Sequence, residues 1–512
     1  MSIGRTWSVA LLGLQGTVVE IEADLSNQLP GFVLIGLPDA ALGEAKERVR
    51  AAAGNSGCPL PSRKITVNLS PAALPKQGSG FDLGIALAAL AAAGELSAES
   101  IDRVVHLGEL GLDGRLRPID GVLPAVLAAS RAGFETVMIP TGNADEASLV
   151  PGIRIIPVAS LREAAIHHGA ELESEPVEPI LRAAEAEAVE HTGDLADIVG
   201  NPDAVDALTV AAAGGHHLFL LGPPGAGKTM LASRLPSLLP DLDAEAALEV
   251  SSLRSLSGIP VSGRLPTRPP LEAPHHTASA VALIGGGSGR IRPGAASRAG
   301  HGVLFLDEAP EFKPSVLDAL RQPLESGVIS VHRANAVAHF PARFQLVLAA
   351  NPCACGQHGA PDAECSCPPM ARRRYLGRLS GPLLDRVDLQ LRVPRITAAQ
   401  LRAHADDRGR RSSAETRQRV EQARAAAAAR LAGTPWRLNA QVPGAWLRGP
   451  SARLGPATTG VLDRALERGA ITMRGYDRVL RVAWTLSDLT GAAAPDADHI
   501  GRALYLRRAM SS

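Results

Sequence analysis

The sequence predicts a multidomain α/β chain that ends in an all-helical part. Three features carry that prediction. Apolar runs of strand length alternate with helix-patterned segments over two separate stretches. A glycine-rich loop joins one of these runs to the start of a helix. Beyond Ile396 helical patterns continue without a strand signal. The 512 residues suffice for two to four domains, and with 46% hydrophobic residues several cores can be buried.

Residues 1–168 make the first expected domain. Trp7 to Leu14 reads as a strand; no small-residue cleavage site follows it, and Glu20, Glu22 and Asp24 come at strand spacing, which argues against a signal peptide. Val18 to Leu25 alternates apolar and acidic residues, and Phe32 to Gly36 is a short apolar run. Asp39 to Ala53 reads as a helix ending at Gly54, Ile65 to Leu69 as a strand, and Phe81 to Ala93 as an apolar helix that Asp82 can cap. Val104 to Leu110 and Arg115 to Ile119 flank the turn Leu112-Asp113-Gly114, a hairpin signal, and Val137 to Pro140 and Ile153 to Val158 close the set. Residues 169–193 are rich in Glu, carry Pro176 and Pro179, and read as an exposed, partly helical acidic linker. A second α/β unit covers 194–394. Residues 395–512 are helical, with an Ala/Arg-rich stretch from Ala414 to Leu431 and Pro443, Pro450 and Pro456 before the last helices.

The second unit carries the chemistry. Leu218 to Leu221 is a strand end, followed by Gly222, Pro223, Pro224, Gly225, Ala226, Gly227, Lys228 and Thr229, and then a helix opening at Met230. This is a Walker A loop in its required strand–loop–helix context. Its glycines let backbone N–H groups face phosphates, Lys228 reaches the β- and γ-phosphates of ATP, and Thr229 serves Mg²⁺. Val303 to Leu306 is a buried-strand pattern ending in Asp307 and Glu308, where open sheets bind ligands. Asp307 suits the Mg²⁺ shell, and Glu308 suits the base that polarises the attacking water. Phe344 to Ala350 is a further strand with Asn351 at its tip, where an amide can orient that water or sense the γ-phosphate. Arg386, between Asp385 and Asp388, can stabilise transition-state charge on a neighbour's ATP, which predicts a ring; a salt bridge to Asp385 or Asp388 is the alternative. Arg474 begins a late helix and either reaches back to the phosphates or is a surface charge.

Cys353, Cys355, Cys365 and Cys367 fall in one 15-residue loop, 353–367, among Gly356, Gly359, Pro361 and Asp362. Four thiolates there can complete a tetrahedral Zn²⁺ site; four reduced thiols is the other reading. Cys58 stands alone. His275 and His276 lack matched ligand spacing and read as loop residues. Five Cys make no disulfide framework, no apolar stretch reaches membrane-spanning length, and a cytoplasmic location without membrane contact is expected. Basic and acidic residues balance at 52 each, but from Ala371 to Ser512 there are 26 Arg, no Lys and 12 Asp plus Glu. That local excess hints at phosphate-bearing partners or is a set of solvated helix faces.

These residues, in this order, resemble the AAA+ superfamily and within it the magnesium-chelatase-like ATPases of the ComM/YifB type. The stretches Ile35 to Asp39, Pro274-His275-His276-Thr277, Ile284 to Gly287, Asp307 to Phe312 and Leu379 to Arg386 carry the resemblance over nearly the whole chain. It implies a Lon-protease-like α/β domain, a central AAA+ P-loop domain and a C-terminal helical lid. It also implies that Arg386 is the arginine finger, Asn351 sensor 1 and Arg474 sensor 2. Val328 to Phe340, with His332, Arg333 and Asn335 at its centre, looks like the hairpin that related motors point at nucleic acid; a packed loop is the alternative. In the Lon-like part, Pro75-Lys76 leads to Asp82 at the position aligned with the protease nucleophile. A carboxylate cannot do a serine's acyl chemistry, and Ser79 has no evident base, so protease activity is not expected. The resemblance implies a homo-oligomeric ring, a hexamer, that hydrolyses ATP on branched or single-stranded DNA as a helicase or branch-migration factor. A chelatase-like or protein-remodelling regulatory ATPase that does not act on DNA is the rival.

Overall fold

A computed structural model of the chain describes residues 3–36, 39–76, 78–182, 193–287, 290–333, 336–358, 364–405 and 411–507. Asn335 of the hairpin tip, Gly359, Pro361 and Asp362 of the cysteine loop, and 183–192 of the linker lie outside the described residues.

The strands of the first stretch are β1 (Gly4–Leu12), β2 (Gln15–Ser26), β3 (Gly31–Ile35), β4 (Lys64–Ser70), β5 (Val105–His106), β6 (Glu109–Leu110), β7 (Leu116–Arg117), β8 (Thr136–Pro140) and β9 (Arg154–Val158). β6 and β7 form the expected hairpin, and the other seven make one mixed sheet in the order β3-β4-β2-β1-β5-β8-β9. The alternation in β2 does what period two demands: Val19, Ile21 and Ala23 are buried while the acidic residues between them face outward. The helix Asp82–Ala93 is buried along nearly its whole length, because Ala and Leu surround it on every side and its small residues let it lie close to β1 and β2.

Three expectations need correction here. The helix read over Asp39 to Ala53 is two helices, Ala40–Gly43 and Ala45–Asn55, broken just after Gly43, a residue that costs about 1 kcal/mol inside a helix. Asp82 does not cap its helix: Phe81 holds the cap position, and the Asp82 carboxylate accepts from Arg48 Nε at 2.7 Å, Arg48 Nη2 at 3.1 Å and the Leu110 N–H at 3.2 Å. A fully buried carboxylate needs a charged partner, and Arg48 provides it; burial still lifts its pKa to about 6 against the pull of Arg48. The linker is also not helical where described: 170–182 runs without regular structure, held by Arg162 to Glu175 and by Arg182 to Asp120.

A buried histidine chain ties this sheet to its flanking helices. Thr6 Oγ1 donates to the Ile101 carbonyl, His106 Nδ1 lies 2.6 Å from Thr6 Oγ1, and His106 Nε2 lies 2.9 Å from His168 Nε2. His168 Nδ1 is 2.8 Å from Ser100 Oγ. Every group is satisfied if both rings are neutral, with the Nε2 proton on His168 and the Nδ1 proton on His106. Burial pushes both pKa values down, that of His168 to about 4. At these two rings the folded state therefore binds fewer protons than the unfolded chain below pH 6.5, while Asp82, lifted to about 6, acts in the opposite direction. This contribution to stability is whole above pH 6.5 and disappears as pH falls toward 4, about 2 kcal/mol being gone at pH 5. Urea titrations at pH 7.5 and 5 read this loss as a difference: His168→Gln should lose less stability on acidification than the wild type, and an equal pH slope in that variant would refute the assignment.

The second stretch contains β10 (Leu218–Leu221), β11 (Leu271–Glu272), a short ribbon of β12 (Gly285–Gly286) and β13 (Arg292–Pro293), β14 (Val303–Leu306), a hairpin of β15 (Val328–Arg333) and β16 (Ala336–Pro341), β17 (Gln345–Ala350) and β18 (Leu389–Arg392). The sheet order is β11-β14-β17-β10-β18, all parallel. Leu221 pairs with Ala350, and Leu306 with Leu348, so the C-terminal tips of β10, β17 and β14 lie side by side.

The C-terminal helices share their apolar cluster with one face of this sheet: Val420, Ala423, Val479, Leu480 and Ile500 pack with Leu218, Leu220 and Val347. Their arginines are largely internal ties. Arg424 donates to the Ala212 carbonyl, Arg417 to that of Ser237, Arg507 to that of Val387, and Arg430, Arg478 and Arg502 pair with Asp488, Asp388 and Asp203. These six arginines are tied within the chain, while others of the segment, among them Arg437, Arg453, Arg464 and Arg468, are exposed.

Candidate nucleotide site and cysteine cluster

The site grows from the end of β10. Its four residues are buried between β17 and β18, and the chain leaves the sheet at Gly222, where a Cβ would lie 2.2 Å from the Val393 carbonyl oxygen. The loop returns at Gly227, whose φ of +84° favours glycine, and the helix Lys228–Leu238 starts there with its free N–H groups toward the loop.

Four elements converge on this helix start. Lys228 Nζ donates to the carbonyls of Gly222 at 2.7 Å and Pro223 at 3.0 Å and to Asn351 Oδ1 at 3.1 Å. Thr229 Oγ1 donates to Asp307 Oδ2 at 2.6 Å, and the Glu308 N–H donates to Asp307 Oδ1 at 2.8 Å. Burial lowers the Lys228 pKa from its ordinary value, while Asp307 and Glu308 pull the other way. Glu308 takes up a left-handed backbone with φ +50°, a conformation a non-glycine residue adopts at a cost, and half of its side chain is exposed. Tyr375 closes the cluster from below, its hydroxyl pushed up to about 12 by burial and by Glu311 and Glu308.

This donor set fits a magnesium–triphosphate group. A hydroxyl and a carboxylate oxygen face one point, as hard-oxygen coordination requires, and an ammonium and a helix N-terminus stand beside them. The open space at Gly225 and Gly227, where a Cβ would meet nothing within 4 Å, leaves their backbone accessible. Sequence reasoning missed one member. His276 Nδ1 lies 3.2 Å from Glu308 Oε2, and its ring stacks on His275 at 4.1 Å. Nothing in the spacing of the two residues signals that pairing.

The outlying candidates fall elsewhere. Arg386 pairs with neither Asp385 nor Asp388. Its guanidinium donates to the Pro382 carbonyl at 2.6 Å and pairs with Glu325, while Asp388 is taken by Arg478 at 2.6 Å. The competing salt bridge was assigned the wrong partner because Asp388 points inward: it is buried, and Arg478, His216 and His217 hold it well below the usual carboxylate range although burial opposes them. Arg474 is exposed on the first turn of the helix Met473–Thr490 and makes no hydrogen bond or ion pair among the described residues, so it is not joined to the phosphate loop. His332 and Arg333 are exposed at the end of β15, and the hairpin is held at its base by buried Ile329 and Phe340.

The cysteine loop does come together. Cys353 Sγ lies 3.3 Å from Cys355 Sγ and 3.7 Å from Cys365 Sγ, Cys355 and Cys365 are 3.7 Å apart, and with Cys367 all four sulfurs lie within 4.8 Å of one another. Four thiolates about 2.3 Å from one Zn²⁺ would stand about 3.8 Å apart at tetrahedral corners, so the cluster has the right size. Among themselves the thiols share their protons unequally. The Gln357 N–H and Cys353 pull Cys355 down to about 6. Against the pull of backbone N–H groups, burial and contacts with the neighbouring thiols push Cys365 up and Cys367 up to about 11. The support for a metal is the spacing of the sulfurs. The loop also rests on the phosphate loop: a Cβ on Gly356 would be 2.6 Å from Pro224, and Arg395 bridges the Pro224 carbonyl and Gln357. In the loop before the helix Asp82–Ala93, Ser79 Oγ donates to the Glu109 carboxylate, and among the described residues it makes no hydrogen bond to a histidine or lysine.

Comparison with known proteins places the chain in a family. Family models described as "Magnesium chelatase, subunit ChlI", "Subunit ChlI of Mg-chelatase" and "Magnesium chelatase, subunit ChlI C-terminal" match residues 194–401, 21–143 and 410–507. An uncharacterized protein of Mycobacterium tuberculosis is 49% identical over 99% of both chains. The competence protein ComM of Haemophilus influenzae is 42% identical over 99% of this chain and 98% of its own, and YifB of Escherichia coli is 38% identical over 99% and 97%. A Lon protease of Mycolicibacterium smegmatis is 34% identical over 156 residues, 29% of this chain and 20% of its own.

Proposed function

The chain belongs to the magnesium-chelatase-like AAA+ proteins of the ComM/YifB type, and on that premise we propose that it is an ATP-hydrolysing ring motor, a hexamer, that moves on branched or single-stranded DNA in recombination or DNA uptake. In this reading residues 1–168 are a Lon-like scaffold, 194–394 the ATPase and 395–512 its lid, and the chain works in the cytoplasm. The observation that carries the proposal is the convergence of Lys228, Thr229, Asp307 and Asn351 at the tips of three adjacent strands, with Glu308 beside them.

Thr229 and Asp307 would hold a Mg²⁺ ion brought with the triphosphate, and that ion would offset negative charge on the oxygens of the leaving γ-phosphoryl group. Lys228 exchanges its carbonyl partners for phosphate oxygens, and the helix N-terminus behind it stabilises the same charge. Glu308 orients a water and takes its proton, with His276 steering the carboxylate. Asn351 fixes the far side of the γ-phosphate and Arg386 comes from the next protomer; Arg474, exposed and apart from the phosphate loop here, would contribute only after the helix Met473–Thr490 moves toward it.

Action on DNA is supported by the exposed His332 and Arg333 at the end of a hairpin whose base is buried. The test is ATP turnover with forked DNA, with unfolded protein and with a porphyrin. Forked DNA is expected to stimulate, and the double change His332→Ala and Arg333→Ala to remove most of that stimulation. Stimulation by porphyrin or protein alone would favour the rival chelatase-like or remodelling activity, and a full DNA response in the double variant would move the contact elsewhere.

The four cysteines are read as a structural Zn²⁺ clip that braces the phosphate loop through Gly356 and Pro224. Elemental analysis of the purified protein should find zinc, one ion per chain. Cys365→Ser should release it and weaken ATP binding, since the loop would lose its brace. Zinc-free protein with unaltered ATP affinity would rule out the clip.

A further inference from the structure

We propose that Glu325 is a positioning residue for Arg386: it holds the guanidinium within its own chain until displacement of the hairpin β15–β16 draws it away. The proposal rests on the reading of Arg386 as the arginine supplied across the ring.

The starting observation is that Arg386 is not free to reach a neighbour. Its side chain is only 12% exposed, its guanidinium is bound by the Pro382 carbonyl and the Glu325 carboxylate, and its Nε is buried without a partner. A carboxylate next to a guanidinium cancels the charge that a departing phosphoryl group requires, and it would itself repel phosphate. The pairing that holds Arg386 therefore opposes its use.

The holder sits at the foot of the hairpin. Glu325 lies in the single helical turn Pro323–Ser326, three residues before β15 begins. That joint is stiff. Ser326 Oγ accepts from the Val328 N–H at 3.2 Å and lies 2.9 Å from the Val328 carbonyl, and the Ala342 N–H donates to the Gly327 carbonyl at 2.8 Å. Ile329 and Phe340 anchor the hairpin base in the core, while His332 and Arg333 stand exposed at the far end. A load on the exposed end pivots the hairpin about its buried base and carries Glu325 with it. Glu325 is itself 61% exposed, and ion pairs of that kind are weakly held, so a small displacement is enough. Polymer on the hairpin of one protomer thus releases the arginine that serves the next.

Full-length Glu325→Gln keeps the side-chain shape and removes its charge. ATP turnover is measured across ATP concentrations, with and without saturating forked DNA. Basal kcat should rise about two- to fivefold, the range an exposed ion pair allows. KM for ATP and kcat at saturating DNA should stay at the wild-type values, so the stimulation ratio falls by the same factor. A purely structural role would not split kcat from KM in this way. Wild-type basal kcat together with a wild-type stimulation ratio would overturn the proposal, and so would a lower basal kcat. Arg386→Ala, assayed alongside, separates the two levels of failure. If it turns over ATP normally, the reading of Arg386 is wrong and this proposal goes with it. If it is inactive while Glu325→Gln behaves as wild type, only the hold by Glu325 is wrong.

Discussion

Arg386→Ala is expected to lower kcat for ATP by about 10³–10⁵-fold, the cost of losing an arginine supplied in trans, while ATP binding persists. Arg386 lies after β17 and the cysteine loop, and its partners on its own chain are Pro382 and Glu325, none of the phosphate-loop residues. On the reading of Arg386 as the arginine supplied across the ring, its target is a neighbour's site, and it must first leave these two partners. Mixing makes the claim sharp. Arg386→Ala and Glu308→Gln protomers, each inactive alone, regain turnover when combined, because roughly one junction in four in a random ring joins an intact glutamate to an intact arginine. Mixtures as inactive as their components would show that both residues act within one protomer.

Glu308→Gln is the second large effect, a fall in kcat of about 10²–10⁴-fold, which is what a positioned base contributes. The amide keeps the size of the side chain and can still meet His276, but it cannot accept the water's proton. Lys228, Thr229 and Asp307 are untouched, so the dissociation constant for ATP should remain near wild type, and a stable ATP-bound ring should accumulate. Rapid-quench turnover beside equilibrium binding of a fluorescent ATP analogue checks both halves. A variant that turned over at more than a tenth of the wild-type rate would take the base away from Glu308.

The sheets and the central site were largely legible because apolar periodicity reports which faces are buried. Four apolar residues ending in Asp307 and Glu308 announce a parallel strand with acids at its tip, and a second such run ends at Asn351; the parallel sheet then has to set these tips beside the Walker loop. The cysteines were legible through their crowding in sequence. What stayed hidden were polar pairs between distant segments. Arg386 finds Glu325 across 61 positions, His276 finds Glu308 across 32, and Arg48 finds Asp82 across 34. Periodicity says that a residue faces inward or outward, not which of many charges will meet it. Asp82 illustrates the limit: at a helix start a cap is the local default, and only the tertiary approach of Arg48 overrules it.

The turn between β1 and β2 offers a last consequence. A Cβ on Gly13 would stand 2.7 Å from the His339 carbonyl oxygen, and Leu11, Leu12 and Leu14 pack against the cluster that contains Ile329 and Phe340. The first sheet is thereby part of the seat against which the hairpin packs, and would be part of the bearing if the hairpin pivots as proposed. Cutting the chain within residues 169–193 would not yield a clean engine: a fragment starting near Asp194 would leave greasy surface bare and its moving arm unsupported, and its clumping or idle turnover would reflect that missing bearing more than any defect in how it burns fuel.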